Sequence, residues 1–351
     1  MRKVLYVPLD DRDCNYQFPW LLSQMTEGLE LLRPPYEWMG FLKKPANREK
    51  IWEWLFEQAG ECDYAILSVD TLVYGNIIGS RIHTYSMEEC RETMDRFRQL
   101  KKQNPQLHIH AFNLAARVAA YNDNHEDPEY WQEYGYDIWR YTWLWDKKKR
   151  AEISEKEAEE LESLQKKIPE EIMQDFLERR KTDRFVNLTS VELVRENVFD
   201  ILTVPKDDTA EFGYAALDQM AIMQKAEGEQ LMDRVYCYPG ADEVGSVIFA
   251  RVFCQIKQYQ PVFYVRYSSL TGSSVIPLYE DRPLGESIKW QILSAGGICS
   301  ETPADADCML AVNAPGTCQI ESANQKNGRN FASDNATNPE ELLRYIRYYK
   351  E

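Results

Sequence analysis

Short apolar runs recur along the chain. Each ends in a polar or acidic turn, and each is followed by a stretch whose apolar positions have helical spacing. Val4–Pro8 leads into Leu9-Asp10-Asp11-Arg12, Tyr64–Val69 into Asp70 and then Tyr74-Gly75, and His108–Phe112 into Asn113-Leu114-Ala115-Ala116-Arg117. Phe199–Val204 leads into Pro205-Lys206-Asp207-Asp208, and Val235–Tyr238 into Pro239-Gly240-Ala241-Asp242-Glu243. Runs this short are strands rather than helices, and strands alternating with helices predict a parallel sheet covered on both faces.

Between about 122 and 190 the pattern changes. Asp137–Trp145 is aromatic-rich, and Lys147–Arg184 is dense in charge, with Leu161, Leu164, Ile168, Ile172 and Phe176 at helical spacing. This predicts a helical insertion with one solvated face, a candidate cap or homo-oligomer contact. Further on, Val275-Ile276-Pro277-Leu278-Tyr279-Glu280-Asp281-Arg282 echoes Leu5–Arg12, and a helical stretch (Leu284–Ser294) and a strand pattern (Cys308–Val312) follow it. The expectation is an α/β protein with parallel sheets and flanking helices, arranged as two Rossmann-like units. The first covers 1–260 and holds the insertion; the second, 261–351, looks incomplete because the terminal helix feeds no further strand. A TIM-like barrel is the rival arrangement, since the same strands can be counted around a closed ring.

Charge narrows the class of partner. With 57 acidic and 41 basic side chains in 351 residues, the net charge is −16, which disfavours phosphate backbones and anionic membranes. No apolar run approaches the roughly 20 residues of a membrane span, and Met1–Val7 runs directly into a strand pattern rather than a signal region. The eight cysteines show no CxxC spacing, and several lie in apolar runs. They read as free thiols in a reducing compartment, so the expected location is cytoplasmic.

In parallel sheets and barrels alike, ligands bind beyond the carboxyl ends of strands. Asp10-Asp11, Asp70, Asp207-Asp208 and Asp242-Glu243 all fall there. One acid at a strand end is an ordinary helix cap; four such motifs predict a site for a small molecule. Like charges held close push their pKa values apart, leaving one proton donor and one anion, the division of labour that glycosidases need. Asp208 is the expected general acid and Asp207 the group that orients or stabilises the substrate, with Asp242 and Glu243 as further catalytic candidates. Asp10, Asp11, Arg12, Asp70, Tyr74, Asn113, Arg117 and Tyr214 are candidate substrate-binding groups. The favoured activity is carbohydrate hydrolysis without a cofactor. The alternatives are an enzyme holding Mg²⁺ or Mn²⁺ on the carboxylates, and a non-catalytic sugar or metabolite receptor. His83, His108, His110 and His125 lack a zinc motif. Phosphate-loop, GxGxxG and GxSxG motifs are absent as well, which disfavours nucleotide-dependent enzymes and serine hydrolases.

Taken together, Val7-Pro8-Leu9-Asp10-Asp11-Arg12 with Asn15, Ser68-Val69-Asp70 with Tyr74-Gly75 and Ser80-Arg81, Asp207-Asp208-Thr209 with Gly213, and Tyr238–Glu243 resemble a bacterial family of unknown function, domain of unknown function 4127. The resemblance spans nearly the whole chain. Members of that family are longer and continue with a further strand region, so it implies a short or C-terminally truncated member. It supplies no reaction and no catalytic residue.

Overall fold

The structure is a computed structural model describing residues 1–207, 210–278, 280–314 and 338–348. The chain divides into two compact units, Met1–Ser246 and Val247–Glu351.

The first unit is built on a six-stranded, all-parallel sheet. In chain order its strands and helices are β1 (Arg2–Val7), α1 (Asp13–Tyr16), α2 (Phe18–Gln24), β2 (Leu29–Leu32), α3 (Arg48–Gln58), β3 (Tyr64–Ser68), α4 (Val69–Tyr74), α5 (Ile77–Ile82), α6 (Met87–Gln103) and β4 (His108–Phe112). Then come α7 (Trp131–Arg150), α8 (Glu155–Lys167), α9 (Glu170–Arg195), β5 (Ile201–Lys206), α10 (Tyr214–Gly228) and β6 (Val235–Pro239). The sheet order is β2-β1-β3-β4-β5-β6. It is open, so the barrel alternative is set aside. Val4–Val7, Ala65–Leu67 and Ile109–Phe112, His110 included, are all buried; continuous burial is what a sheet covered on both faces requires.

Local signals explain where the helices begin. Ser86 and Glu89 form a reciprocal capping box at the start of α6, and Ser154 and Glu157 do the same for α8; each box satisfies two otherwise unpaired N–H groups. Cys90, Met94, Phe97 and Leu100 form the buried stripe of α6. In the insertion, Ile168-Pro169 breaks the expected continuous stretch into α8 and α9, because proline cannot extend a preceding helix. Trp131, Ile138, Ile168 and Phe176 form one small core there, and Leu144, Leu161 and Leu164 another. The C-terminal half of α9 buries Val186, Val191, Leu193 and Val194 in the main core, so the insertion is anchored to the sheet rather than merely appended.

α11 (Val244–Lys257) leads into the second unit, which contains β7 (Val262–Tyr267), α12 (Leu284–Ser294), β8 (Ile298–Ser300), β9 (Cys308–Val312) and α13 (Pro339–Tyr348). Its parallel sheet has the order β8-β7-β9, the same arrangement as β2-β1-β3. The sequence echo at Val275, however, does not mark a strand: residues 275–278 are irregular. Val262–Tyr267 supplies five β-formers in six positions, whereas Val275-Ile276 is cut short by Pro277, which lacks the N–H a ladder needs.

One device recurs at the amino edge of these sheets. Just before β3, Asp63 donates its N–H to the Lys3 carbonyl (3.0 Å) and accepts the Lys3 N–H on its carboxylate (3.2 Å). Asp200 does the same to Ile109 (2.8 and 2.7 Å) and Asp307 to Val262 (2.9 and 2.7 Å). Each aspartate extends the ladder where its own strand starts later than its neighbour, and a bond from N–H to a charged acceptor is worth about 1.5–3 kcal/mol. Asp200→Ala should therefore lower stability by about 1–3 kcal/mol in urea unfolding, with Asp200→Asn intermediate. A change below about 0.5 kcal/mol, the range of ordinary surface substitutions, would show that the ladder does not depend on it.

Candidate functional site

β1 ends at Val7, and the chain then turns sharply at Asp10. The Asp10 carboxylate, buried at 3% exposure, accepts the Arg12 N–H (3.0 Å), the Asn15 amide (2.9 Å) and Arg12 Nε (2.9 Å). The first of these is the side-chain-to-backbone turn that aspartate favours. Thr71 Oγ1, in α4, lies 2.6 and 2.8 Å from the Pro8 and Leu9 carbonyls and fixes the loop from the β3 side.

Arg12 Nη2 is shared between Asp10 (2.8 Å) and Asp242 (2.7 Å). Asp242 follows β6, which is four inter-strand spacings of about 4.8 Å from β1. The loops after β1 and β6 thus meet across the carboxyl edge of the sheet. Gly240 sits at φ 124°, a conformation that favours glycine, and a side chain at Gly245 would collide with the Tyr6 hydroxyl. Both glycines are needed to bring that loop in. Two carboxylates on one nitrogen also raise the pKa of the Arg12 guanidinium: burial opposes its charge, but Asp10 and then Asp242 outweigh it.

A second arginine organises the other side. Arg81, with a side chain only 5% exposed, gives Nη2 to Asp207 (2.7 Å) and Nη1 to Glu126 (2.8 Å). Arg117 Nη2 reaches Glu126 (3.2 Å), Asp127 (3.1 Å) and the Tyr121 hydroxyl (2.6 Å). Burial raises the Asp127 carboxyl, against the fields of Arg117 and Arg81. Glu126 moves the other way: burial pushes it up, but its bonds to Arg81 hold it below the usual range.

Asp10, Asp11, Arg12, Leu42, Asn76, Ile77, Ile78, Arg81 and Glu126 line one cleft at this edge. Asp11 stands apart from the other acids. No guanidinium pairs with it among the described residues; its carboxylate meets the Tyr36 hydroxyl at 3.4 Å. Burial raises its pKa, and the neighbouring Asp10 charge adds to the rise.

Among the expected site residues, Asp10, Asp11 and Arg12 line the cleft, while Asp207, Arg117 and Asp242 reach its walls through shared ion pairs. Glu243 is exposed beside Asp242. Asp208 lies outside the described residues. Four others are placed elsewhere. Asp70 is 1% exposed and accepts from Leu114 N (2.9 Å) and Asn113 Nδ2 (3.2 Å); the Asn113 oxygen accepts from Asn187 (2.7 Å) and Ser190 (3.2 Å) of α9. This buried relay docks the insertion on the sheet. Tyr74 is buried and stacks on His83, which pairs with Asp183 at 3.0 Å. Tyr214 packs on Trp145 and Phe176. On β4, His108 and His110 share a face against Tyr64 of β3, with His108 paired to Asp200 at the amino end.

Arg81, Glu126, Asp127 and Asn76 were not singled out as site residues from sequence. Arg81 lay within the family motif, but nothing in its local spacing links it to Asp207. As for metals, no group of three His, Cys, Asp or Glu side chains among the described residues is arranged to hold an ion.

Residues 4–349 match the family described as Protein of unknown function (DUF4127). The chain belongs to this family. No curated protein matches it. Family membership leaves the reaction open, so function rests on the cleft.

The buried relay yields a test of its own. Burial drives the Asp70 pKa up to about 7, despite the bonds from Leu114 and Asn113. A carboxyl whose folded pKa exceeds its unfolded value of about 3.9 is protonated more readily in the folded state. Its stabilisation is complete in acid and is lost as pH rises from about 4 to 7. The Tm of Asp70→Asn relative to wild type should therefore climb across that window. A difference independent of pH would mean that Asp70 titrates normally.

Proposed function

We propose that the cleft hydrolyses glycosides, with Asp11 as proton donor. The observation that carries this reading is the contrast between adjacent carboxylates: Asp10 is matched by Arg12 and Asn15, while Asp11 has a raised pKa and no guanidinium on it. A carboxyl whose pKa is raised, beside a carboxylate matched by a cation, offers the two roles that glycoside cleavage uses.

Asp11 gives its proton to the glycosidic oxygen as the bond to the anomeric carbon breaks. The positive charge left on the sugar faces Asp10, with Asp207 and Asp242 behind it. Water adds hydroxide to that carbon, and its remaining proton restores the acid. Asp207 is committed to Arg81 at 2.7 Å and serves there as that guanidinium's partner. Asp208, the general acid expected from sequence, lies outside the described residues; among the described carboxylates, Asp11 suits that role. The seven described cysteines, all free, fit a cytoplasmic enzyme, and no helix among the described residues is long and apolar enough to cross a membrane.

A panel of aryl and alkyl glycosides tests this. Asp11→Asn should slow alkyl glycosides on the order of 10²–10⁴-fold, and much less those with activated aryl leaving groups, which need little protonation. Because the acid form is required, wild-type activity should fall as pH rises through the raised Asp11 pKa, and the variant should lose that limb. Measurable sugar binding with no turnover of any glycoside would make the protein a receptor. Activity lost to a chelator and restored by Mg²⁺ or Mn²⁺ would make it a metal enzyme.

A further inference from the structure

Two nearly buried guanidiniums converge on one atom. Glu126 Oε2 accepts from Arg81 Nη1 at 2.8 Å and from Arg117 Nη2 at 3.2 Å. The arginine side chains are 5% and 10% exposed, whereas that of Glu126 is 42% exposed. Arg81 Nε is also buried with no hydrogen-bond partner. Two guanidiniums that share one carboxylate oxygen make a site suited to a carboxylate.

The residue filling this place belongs to an irregular connection. Residues 113–130 contain no helix and no strand between β4 and α7, and connections of this length inside a domain are commonly functional. Lys43 pins the segment at Glu129, 2.6 Å away. With Glu126 in place the cleft measures only about 50 Å³, room for one or two waters, whereas small-molecule sites run to about 300 Å³ or more.

We infer that Glu126 is an internal stand-in for the acidic group of the ligand, and that Arg81 and Arg117 form the recognition site for a carboxylate-bearing sugar such as a uronate. This deepens the glycosidase reading and rests on it for the sugar. Swinging Glu126 out opens the cleft, and Arg81 keeps Asp207 while Arg117 keeps Asp127. A ligand carboxylate then restores one negative charge for the one removed. A phosphate dianion would add a second charge beside Asp207, Asp127 and Asp11, which is why the assignment is to a carboxylate.

Calorimetric titration of the whole chain separates the possibilities, with D-glucuronate, methyl glucoside, acetate and inorganic phosphate as probes. A tethered carboxylate competes at an effective concentration in the millimolar range, so Glu126→Gln should bind glucuronate at least about tenfold more tightly than wild type. Arg117→Lys, which keeps the charge but loses the fork, should cancel that gain in the Glu126→Gln background. Equal or weaker glucuronate binding by Glu126→Gln would overturn the inference, as would phosphate binding more tightly than acetate. If methyl glucoside binds as well as glucuronate to both proteins, the sugar reading stands and the acidic-sugar assignment fails. If acetate gains from Glu126→Gln but glucuronate binds no better than acetate, the arginine site stands and the sugar reading fails.

Discussion

A guanidinium cannot give up its proton at any ordinary pH, so burying one commits the fold to supplying negative charge around it. Arg81 imposes that constraint here. Burial works against its charge, and the fields of Asp207 and Asp127 outweigh the penalty and raise its pKa. Much of the carboxyl edge follows from this. Asp207 is held at the end of β5, the 113–130 connection is drawn in through Glu126, and Arg117 is placed where it shares that carboxylate and faces Asp127. Arg12 repeats the logic on the other side, tying the loop after β1 to the loop after β6. The walls of the cleft are held by charge pairing more than by apolar packing.

Aspartates occur at both ends of the strands, for different reasons. Asp63, Asp200 and Asp307, at the amino edges, extend backbone ladders, each bonding both polar groups of one residue on a neighbouring strand. At the carboxyl edge of the first unit, Asp10, Asp207 and Asp242 are matched by arginines. The first group recurs in both units, alongside the shared strand order of β2-β1-β3 and β8-β7-β9, which makes it a feature of how these sheets are assembled. The second group lines or borders one cleft.

This separation sets the limit of what the sequence disclosed. Alternating apolar runs and helical stretches revealed the parallel sheet, and the rule that ligands sit beyond carboxyl ends pointed to Asp10, Asp11, Arg12 and Asp242. Strand ends do not reveal which way a side chain turns. Asp70 and Asn113 follow strands as Asp10 does, yet they face inward and hold α9. Arg81 and Glu126 were hidden for the opposite reason. Neither sits at a strand end, and the Arg81–Asp207 pair joins residues 126 positions apart, a relation that no local spacing carries. The echo at Val275 misled because similarity of residues was read as similarity of structure, whereas the duplicated feature is the topology around β7.

Charge pairing also bears on what the cleft selects. Asp10, Asp207 and Asp242 are already committed to guanidiniums, so a ligand competing for those groups has to supply the charge it displaces. Glu126 is the replaceable member, being half-exposed and carried on an irregular segment rather than a strand end. A neutral ligand that pushed it aside would remove the carboxylate that Arg81 and Arg117 share, leaving two positive charges close together with less negative charge between them. An anionic ligand leaves the local charge unchanged. The need to keep Arg81 compensated thus acts as a filter on occupancy, and it does so through the same pairing that holds the loops in place.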